Sequence, residues 1–298
     1  MVSITKHELP PLDVKAEFDV IEIEPHKFRG VKPLAKPSKL TRGAYGGNIV
    51  AQAILVAIRS SPASRSFVPN SIHSYFIKAV SDQTPMVWEV EEITTGRTFV
   101  HRYVRGLQDG SIVFTAMVSL TSNNSTKNNN GKDVSSLNFS IPATNTMQQD
   151  IKDLPVVYHI DPLFAFQKIY PFQNDPENVT FLIRWGITDD KQYNQPLINL
   201  SEEFKYVGFT SLTDWIAMEL LLPHIDIDVR PRVEASIDHN IHYHDDDFQV
   251  DQWFVYVLNL KWVGHDRALI KGDIFTSEGK KHIATIVQER LFITSPKI

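Results

Sequence analysis

Residues Tyr45 to Ile58 read YGGNIVAQAILVAI, and the surroundings this segment demands decide the fold. Ile49, Val50, Ala53, Ile54, Ala57 and Ile58 recur at helical spacing, and the helix opens at Gly46-Gly47. A short helix that is apolar on most of its surface belongs inside a sheet that wraps it, not on a wet face. Before it, Glu17 to Ile23 (EFDVIEI) has the composition of a strand. After it come four strand-like stretches near Asn70 to Ile77, Met86 to Ile93, Thr98 to Gly106 and Ile112 to Leu120, punctuated by turn signals such as Asp109-Gly110. The segment reads strand, helix, four strands.

The same order then returns. Val179 to Ile187 reads as a strand, and a second short apolar helix is expected from about Asp214 to Leu222. Strands follow near Glu234 to Tyr243, Trp253 to Trp262, Ala268 to Thr276 and His282 to Thr294. Ser71-Ile72-His73 answers Ser236-Ile237-(Asp238)-His239, and aligning Gly110 with Gly279 sets Ser119 opposite Gln288. These are two copies of one unit. Between them Ser122 to Ser136, SNNSTKNNNGKDVSS, is polar and too rich in Asn for regular structure, so it reads as a linker. The expected organisation is an α+β fold with an N-terminal unit over residues 1–121, an Asn-rich linker over 122–150 and a C-terminal unit over 151–298. Each unit is an antiparallel sheet wrapped around a central helix.

Composition agrees with a folded chain of about two units, because 298 residues with 42% hydrophobic and 22% charged side chains exclude disordered, collagen-like and coiled-coil proteins. Thirty Lys+Arg against 35 Asp+Glu leave a net charge of -5, which disfavours non-specific binding to nucleic acid or an anionic membrane. With no cysteine, disulfides, thiolate metal ligands and a cysteine nucleophile are all excluded, and a reducing compartment is the natural setting. The amino terminus MVSITKHELPPLDVKAEF carries charges and prolines where a secretory signal needs an apolar core. No run of about 18 apolar residues occurs, so a soluble intracellular protein is expected. G-x-S-x-G, H-E-x-x-H, G-x-x-x-x-G-K-[ST] and G-x-G-x-x-G are absent, which removes the usual support for serine-hydrolase, zincin and nucleotide-binding readings. His239, His242, His244 and Asp245 to Asp247 suggest a metal at first sight, but the acidic run reads as a wet turn and a second ligand pair at proper spacing is missing. Neither a metal nor a cofactor is expected.

Several separated motifs resemble one family. Gly43-Ala44-Tyr45-Gly46-Gly47 through Ala51-Gln52-Ala53, His73-Ser74-Tyr75-Phe76, Gly96-Arg97-x-Phe99, Ala235-Ser236-Ile237-Asp238-His239 with His244, and Val287-Gln288-Glu289 are similar to the type II acyl-CoA thioesterases, double-hotdog proteins of bacteria and peroxisomes. The resemblance implies hydrolysis of a fatty acyl-CoA to free acid and CoA by a water molecule, with no covalent intermediate. In the family an Asp, a Ser or Thr and a Gln hold that water. Carried over residue by residue they are Asp214, Ser236 and Gln288, with Thr213-Asp214 standing where the family has Ser-Asp at the start of the second helix. Gly46, Gly47, His73, Arg97 and Arg105 are the expected substrate-binding positions.

The residues themselves leave alternatives open. Water is a poor nucleophile, so a thioesterase without Ser-His or Cys must orient water, accept its proton and stabilise an oxyanion. Asp214 could take the proton or simply cap a helix, and the Ser236 hydroxyl could meet the water or the backbone. Gly46-Gly47 offers free N–H groups to developing negative charge, or serves only tight packing. Arg97, His101 and Arg105 share a strand face that either meets CoA phosphates or is merely solvated. The polar trio occurs in the second copy alone, which points to one site per chain. Two other functions remain: hydration of an enoyl-CoA, with His239 and an Asp serving the double bond, and binding of acyl-CoA without catalysis. The expected partner is an acyl-CoA substrate, and association into a homo-oligomer is open because hotdog units tend to assemble. The chain ends Ser295-Pro296-Lys297-Ile298, a poor match to a Ser-Lys-Leu peroxisomal address, so peroxisome and cytosol both stand.

Overall fold

The structure, a computed structural model, describes residues 11–37, 41–122, 178–186, 196–216 and 231–294, with short pieces at 7–8, 156–157, 164–168, 188–189, 193–194 and 221–222. The linker expected over 122–150 therefore lies almost wholly outside the described residues, as does the carboxyl-terminal Ser295 to Ile298.

The principal elements run α1 (Val14–Phe18), β1 (Val20–Glu24), β2 (Lys27–Gly30), α2 (Gly46–Arg59), β3 (Val68–Phe76), β4 (Val87–Thr95), β5 (Phe99–Gln108) and β6 (Ser111–Thr121). They continue with β7 (Asn178–Trp185), α3 (Glu202–Thr213), β8 (Pro231–Ser236), β9 (Asp238–Tyr243), β10 (Phe254–Gly264), β11 (Arg267–Thr276) and β12 (His282–Thr294). The strands form one sheet in the order β1-β2-β4-β5-β6-β3-β9-β12-β11-β10-β7, and β8 pairs with the far end of β12. Both copies join at an antiparallel seam between β3 and β9, where Ile72 faces Ile241 and Ser74 faces His239. The double hotdog is thus one continuous sheet curled around two helices. No helix among the described residues is long and apolar enough to cross a membrane.

Helix α2 is buried from Gly47 to Ala57, as its composition demands. Each of its Ile, Leu and Val side chains removed from water contributes about 1.5–3 kcal/mol. Its one central amide is satisfied, since Gln52 Nε2 donates to the Phe18 carbonyl at 3.0 Å and Gln52 Oε1 accepts from Trp88 Nε1 at 2.8 Å. Helix α3 lies antiparallel beside it. At one end Arg59 meets Glu203 at 2.9 Å, and at the other the Ser211 hydroxyl donates to Asn48 Oδ1 at 2.7 Å.

Three expectations are corrected. The second central helix is Glu202–Thr213, not Asp214 to Leu222, and Asp214 terminates it. The apolar run after Asp214 drew the reading, whereas the start signal is Ser201 followed by Glu202 and Glu203, acidic residues that favour a helix amino terminus. Residues 217–220 of that run lie outside the described residues. The strand expected over Glu17 to Ile23 is divided, because Asp13 caps a one-turn helix by accepting from Ala16 N at 2.9 Å and the strand begins only at Val20. The strand expected over Glu234 to Tyr243 is broken at Ile237 into β8 and β9.

The repeat alignment also shifts. Leu107 pairs with Ile112 across the first hairpin, but Phe275 pairs with His282 across the second, so the second turn is longer. Pinning the copies at Gly110 and Gly279 therefore leaves the following strands one residue out of register, and a one-residue slip turns each side chain to the opposite face. Counting on from Ile112 and His282, the counterpart of Gln288 is Val118, not Ser119.

The helix pair is close because of Gly47: a β-carbon there would lie 2.3 Å from the Ser211 carbonyl oxygen. Helix propensity alone says that Gly47→Ala gains roughly 1 kcal/mol. The contact says that it loses about 1–3 kcal/mol through overpacking. Thermal denaturation should therefore show Gly47→Ala melting several degrees below the wild type, and an equal or higher melting temperature would contradict the close approach.

Candidate active site

Asp214, Ser236 and Gln288, widely separated in the chain, meet where α3 ends. The Ser236 hydroxyl donates to Asp214 Oδ1 at 3.1 Å, Gln288 Nε2 donates to the same oxygen, and Gln288 Nε2 lies 3.0 Å from Ser236 Oγ. Asp214 is only 5% exposed and Gln288 is fully buried, so these bonds form away from bulk water.

Each side chain is placed by a local feature. Asp214 follows the last turn of α3, and the chain on either side of it is held: Tyr256 on β10 donates to the Thr213 carbonyl at 2.6 Å, and Arg290 on β12 donates to the Ile216 carbonyl. Gln288 projects inward from β12 between Ile286 and Arg290, in the alternation that also directs Ile270 of β11 inward opposite it. Ser236 pairs with Arg290 and shares that face. An unbroken strand would turn Ser236 and His239, three residues apart, to opposite faces. The break at Ile237, where one N–H bonds Glu289 and the carbonyl accepts from Phe76, inserts the offset that turns both inward.

The amino terminus of α2 closes the site. A β-carbon on Gly46 would lie 2.5 Å from Asp214 Oδ2, so glycine is required there for the carboxylate to sit against the helix end. Helix amino termini favour negative charge by about 0.3–1 kcal/mol, and up to about 2 in partly buried geometry. Of the two central helices it is α2 whose start faces the trio, since the start of α3 lies at the opposite end beside Arg59. Gly46 and Gly47 therefore join Asp214, Ser236 and Gln288.

The other expected residues do not. His73 points outward, exposed, with its ring edge-to-face against His242 at 5.2 Å. Arg105 projects from the outer face of β5 and pairs with Glu89 at 3.0 Å, three strands from β9. Arg97 lies exposed in the turn before β5, and its carbonyl accepts from Arg65. His242 is likewise exposed, whereas His239 is buried.

Two groups at the site stand outside the trio, one missed by the sequence reading and one raised there only for enoyl-CoA hydration. Tyr256 is one, and the alternation Phe254, Tyr256, Leu258 already marks it as an inward tyrosine whose hydroxyl needs a partner. The other is His239 beside the trio: its Nε2 lies 2.8 Å from Thr213 Oγ1, and its Nδ1 is 4.0 Å from Asp214 Oδ1. Burial pushes this imidazole down to about 4, against the attraction of Asp214 and aided by the charge of Arg290.

The corresponding place in the first copy is filled differently. Val118 stands for Gln288, and the buried Arg102 guanidinium occupies the space at the carboxyl end of α2, donating to the carbonyls of Ser60, Thr94 and His101. Burial lowers the Arg102 pKa, opposed by Glu92 at 3.5 Å.

Comparison with known proteins locates this architecture. A family model described as the acyl-CoA thioesterase N-terminal domain matches residues 35–121, and one described as the acyl-CoA thioesterase C-terminal domain matches residues 195–292. The chain is 24% identical over 314 residues to human acyl-coenzyme A thioesterase 8, covering 97% of this chain and 93% of that one. It is 35% identical over 78 residues to the peroxisomal acyl-coenzyme A thioester hydrolase 1 of Saccharomyces cerevisiae, a stretch of 26% of this chain and 22% of that one. Among solved structures, acyl-CoA thioesterase II of Mycobacterium marinum superposes with a TM-score of 0.70 at 21% identity, covering 95% of this chain and 99% of that one.

The neutral buried His239 makes stability depend on pH. Its folded pKa lies near 4 and its unfolded value near 6.5, so between them the unfolded chain binds the extra proton. Stability is complete above about pH 6.5 and declines as pH falls toward 4, by on the order of 2–3 kcal/mol from this group. Denaturant titrations from pH 7 to pH 4.5 should show His239→Gln losing less stability than the wild type over that window; parallel curves would contradict the assignment.

Proposed function

This chain belongs to the acyl-CoA thioesterase family, and we propose that Asp214, Ser236 and Gln288 position and activate the water that carries out its reaction. The reaction is hydrolysis of acyl-CoA thioesters to free acid and CoA. The observation supporting this reading is the convergence of those three side chains, by mutual hydrogen bonds, against the amino terminus of α2.

In the proposed step the water oxygen attacks the thioester carbonyl carbon while one of its protons passes to Asp214. The Ser236 hydroxyl and the Gln288 amide fix the carboxylate and the water, an orientation that removes much of the entropic barrier to bimolecular attack. Backbone N–H groups at Gly46 and Gly47 face the developing oxyanion, the helix end supplying stabilisation that solvent would have to reorganise to give. When the tetrahedral intermediate collapses, the C–S bond breaks, its electron pair leaves on sulfur, and Asp214 returns the proton to the departing thiolate. No covalent acyl-enzyme is formed. Arg97, Arg105 and His73 take no part in these steps.

The proposed compartment is the peroxisome, in line with the name of the yeast relative. The proposed division of the chain is the one its repeat suggests, two units joined by the Asn-rich stretch.

Thiol release from a fatty acyl-CoA tests the reading. Asp214→Asn and Gln288→Ala should each lower kcat by about 100-fold or more, the scale seen when a proton acceptor or a positioned dipole is removed. The double variant should fall far short of the product of the two losses, since both residues act on one water. Both variants should still unfold cooperatively, with Gln288→Ala melting several degrees below the wild type because it gives up a buried hydrogen bond to the carboxylate. Turnover at the wild-type rate in both single variants would remove the mechanism, and loss of enoyl absorbance without thiol release would transfer the site to hydration.

A further inference from the structure

The proton positions around His239 follow from its partners. Thr213 Oγ1 lies 2.7 Å from the Thr210 carbonyl and 2.8 Å from His239 Nε2. A carbonyl oxygen only accepts, so the single hydroxyl proton of Thr213 is committed to Thr210, and His239 Nε2 must donate to Thr213. A neutral imidazole carries one proton. Nδ1 is therefore a bare acceptor, and it is buried, without a hydrogen-bond partner among the described residues, 4.0 Å from Asp214 Oδ1. Two acceptors that far apart make no bond with each other, and the smallest group that serves both is a water molecule, with one O–H for each. The Gln288 amide that holds Asp214 presents a further buried acceptor, Oε1, also without a partner among the described residues. A structural histidine at this place would need only its Nε2 contact to α3.

We propose that His239 is an additional catalytic residue: its Nδ1 accepts a hydrogen bond from the attacking water through the hydrogen that is not transferred, while Asp214 takes the other. The inference rests on the thioesterase reading of the trio. The bond to Nδ1 directs a water lone pair at the carbonyl carbon, and it does so without supplying or removing a proton. After attack that hydrogen remains on the new hydroxyl of the acid product, so the balance of the reaction is unchanged.

Two substitutions separate the ends of the ring. His239→Gln keeps a donor near Nε2 for Thr213 and removes the Nδ1 acceptor, whereas His239→Asn keeps an acceptor near Nδ1 and gives up Thr213. With a fatty acyl-CoA, kcat of His239→Gln should drop by about 10–100-fold with KM changed less than about threefold, and His239→Asn should turn over at least about fivefold faster than the Gln variant. Equal rates or the reverse order overturn the role and leave His239 as a prop for α3. The wild-type enzyme supplies a reading that needs no variant, because the 15N resonances of the His239 ring distinguish protonated from bare nitrogen. A proton on Nδ1 at neutral pH overturns the proposal. Failure of the parent reading is recognised separately: an active Asp214→Asn removes the whole mechanism, whereas an inactive Asp214→Asn with a fully active His239→Gln removes the histidine alone.

Discussion

The structure turns on the contact between the two central helices at Gly46 and Gly47. A helix of almost wholly apolar composition cannot be solvated, so α2 must be surrounded, and sheet alone surrounds it on one side only. The other side is α3, brought to backbone distance because Gly47 has no side chain to hold the Ser211 carbonyl away. Running the helices antiparallel sets the positive end of α2 against the negative end of α3, an arrangement favourable in itself. It also sets Asp214, the residue at which α3 stops, against the free N–H groups of α2. A carboxylate just past a helix carboxyl terminus is badly placed with respect to its own helix. The opposing helix, the Ser236 hydroxyl and the Gln288 amide reverse that disadvantage, since hydrogen bonds to charged groups contribute about 1.5–3 kcal/mol each.

The two copies of the unit share this geometry without sharing its chemistry. At the end of α2 the chain continues into Ser60, and the space beyond is occupied by Arg102, which donates to the Ser60 carbonyl. At the end of α3 the Thr213 carbonyl is instead met from outside by Tyr256, Arg290 holds the Ile216 carbonyl just beyond the helix, and the space is left to Asp214. Val118 in place of Gln288 completes the difference. Among the described residues, one copy spends its inward positions on packing and helix capping, and the other on converging polar atoms.

Much of the fold was legible in the sequence because it depends on periodicity. Alternation marked β3 to β6 and β10 to β12, and the density of apolar residues marked α2. What escaped depends on single residues. The helix α3, EEFKYVGFTSLT, buries Thr210, Ser211 and Thr213, so it is more polar than the run after it, and its start is signalled only by Ser201 and two glutamates. The break at Ile237 leaves no compositional trace, yet it alone turns Ser236 and His239 to one face. The longer second hairpin turn is equally silent and shifted the alignment of the copies by one position. The trio itself was named through motifs similar to a known family, while its convergence is a property of the folded chain that no spacing along the sequence states.

These silent features are also where the polar side chains converge, and the coincidence has a physical origin. A reacting water needs several polar atoms aimed at one point, and regular elements cannot supply this, because a strand offers a face only every second residue and a helix only every third or fourth. Convergence requires departures: a helix that stops at Asp214, a strand that breaks at Ile237, a glycine that admits a neighbouring backbone. Each departure leaves polar groups to be satisfied, and here they satisfy one another, with Thr213 joining Thr210 to His239 and Gln288 joining Asp214 to Ser236. The donors in this network are largely consumed by Asp214 and Thr213. Among the described residues, the trio and His239 are left with two acceptors without a partner, His239 Nδ1 and Gln288 Oε1, and that surplus is complementary to a ligand rich in O–H. Water fits that description, and the acyl thioester, which has acceptors alone at its reacting carbonyl, must find its donors across the site at the start of α2.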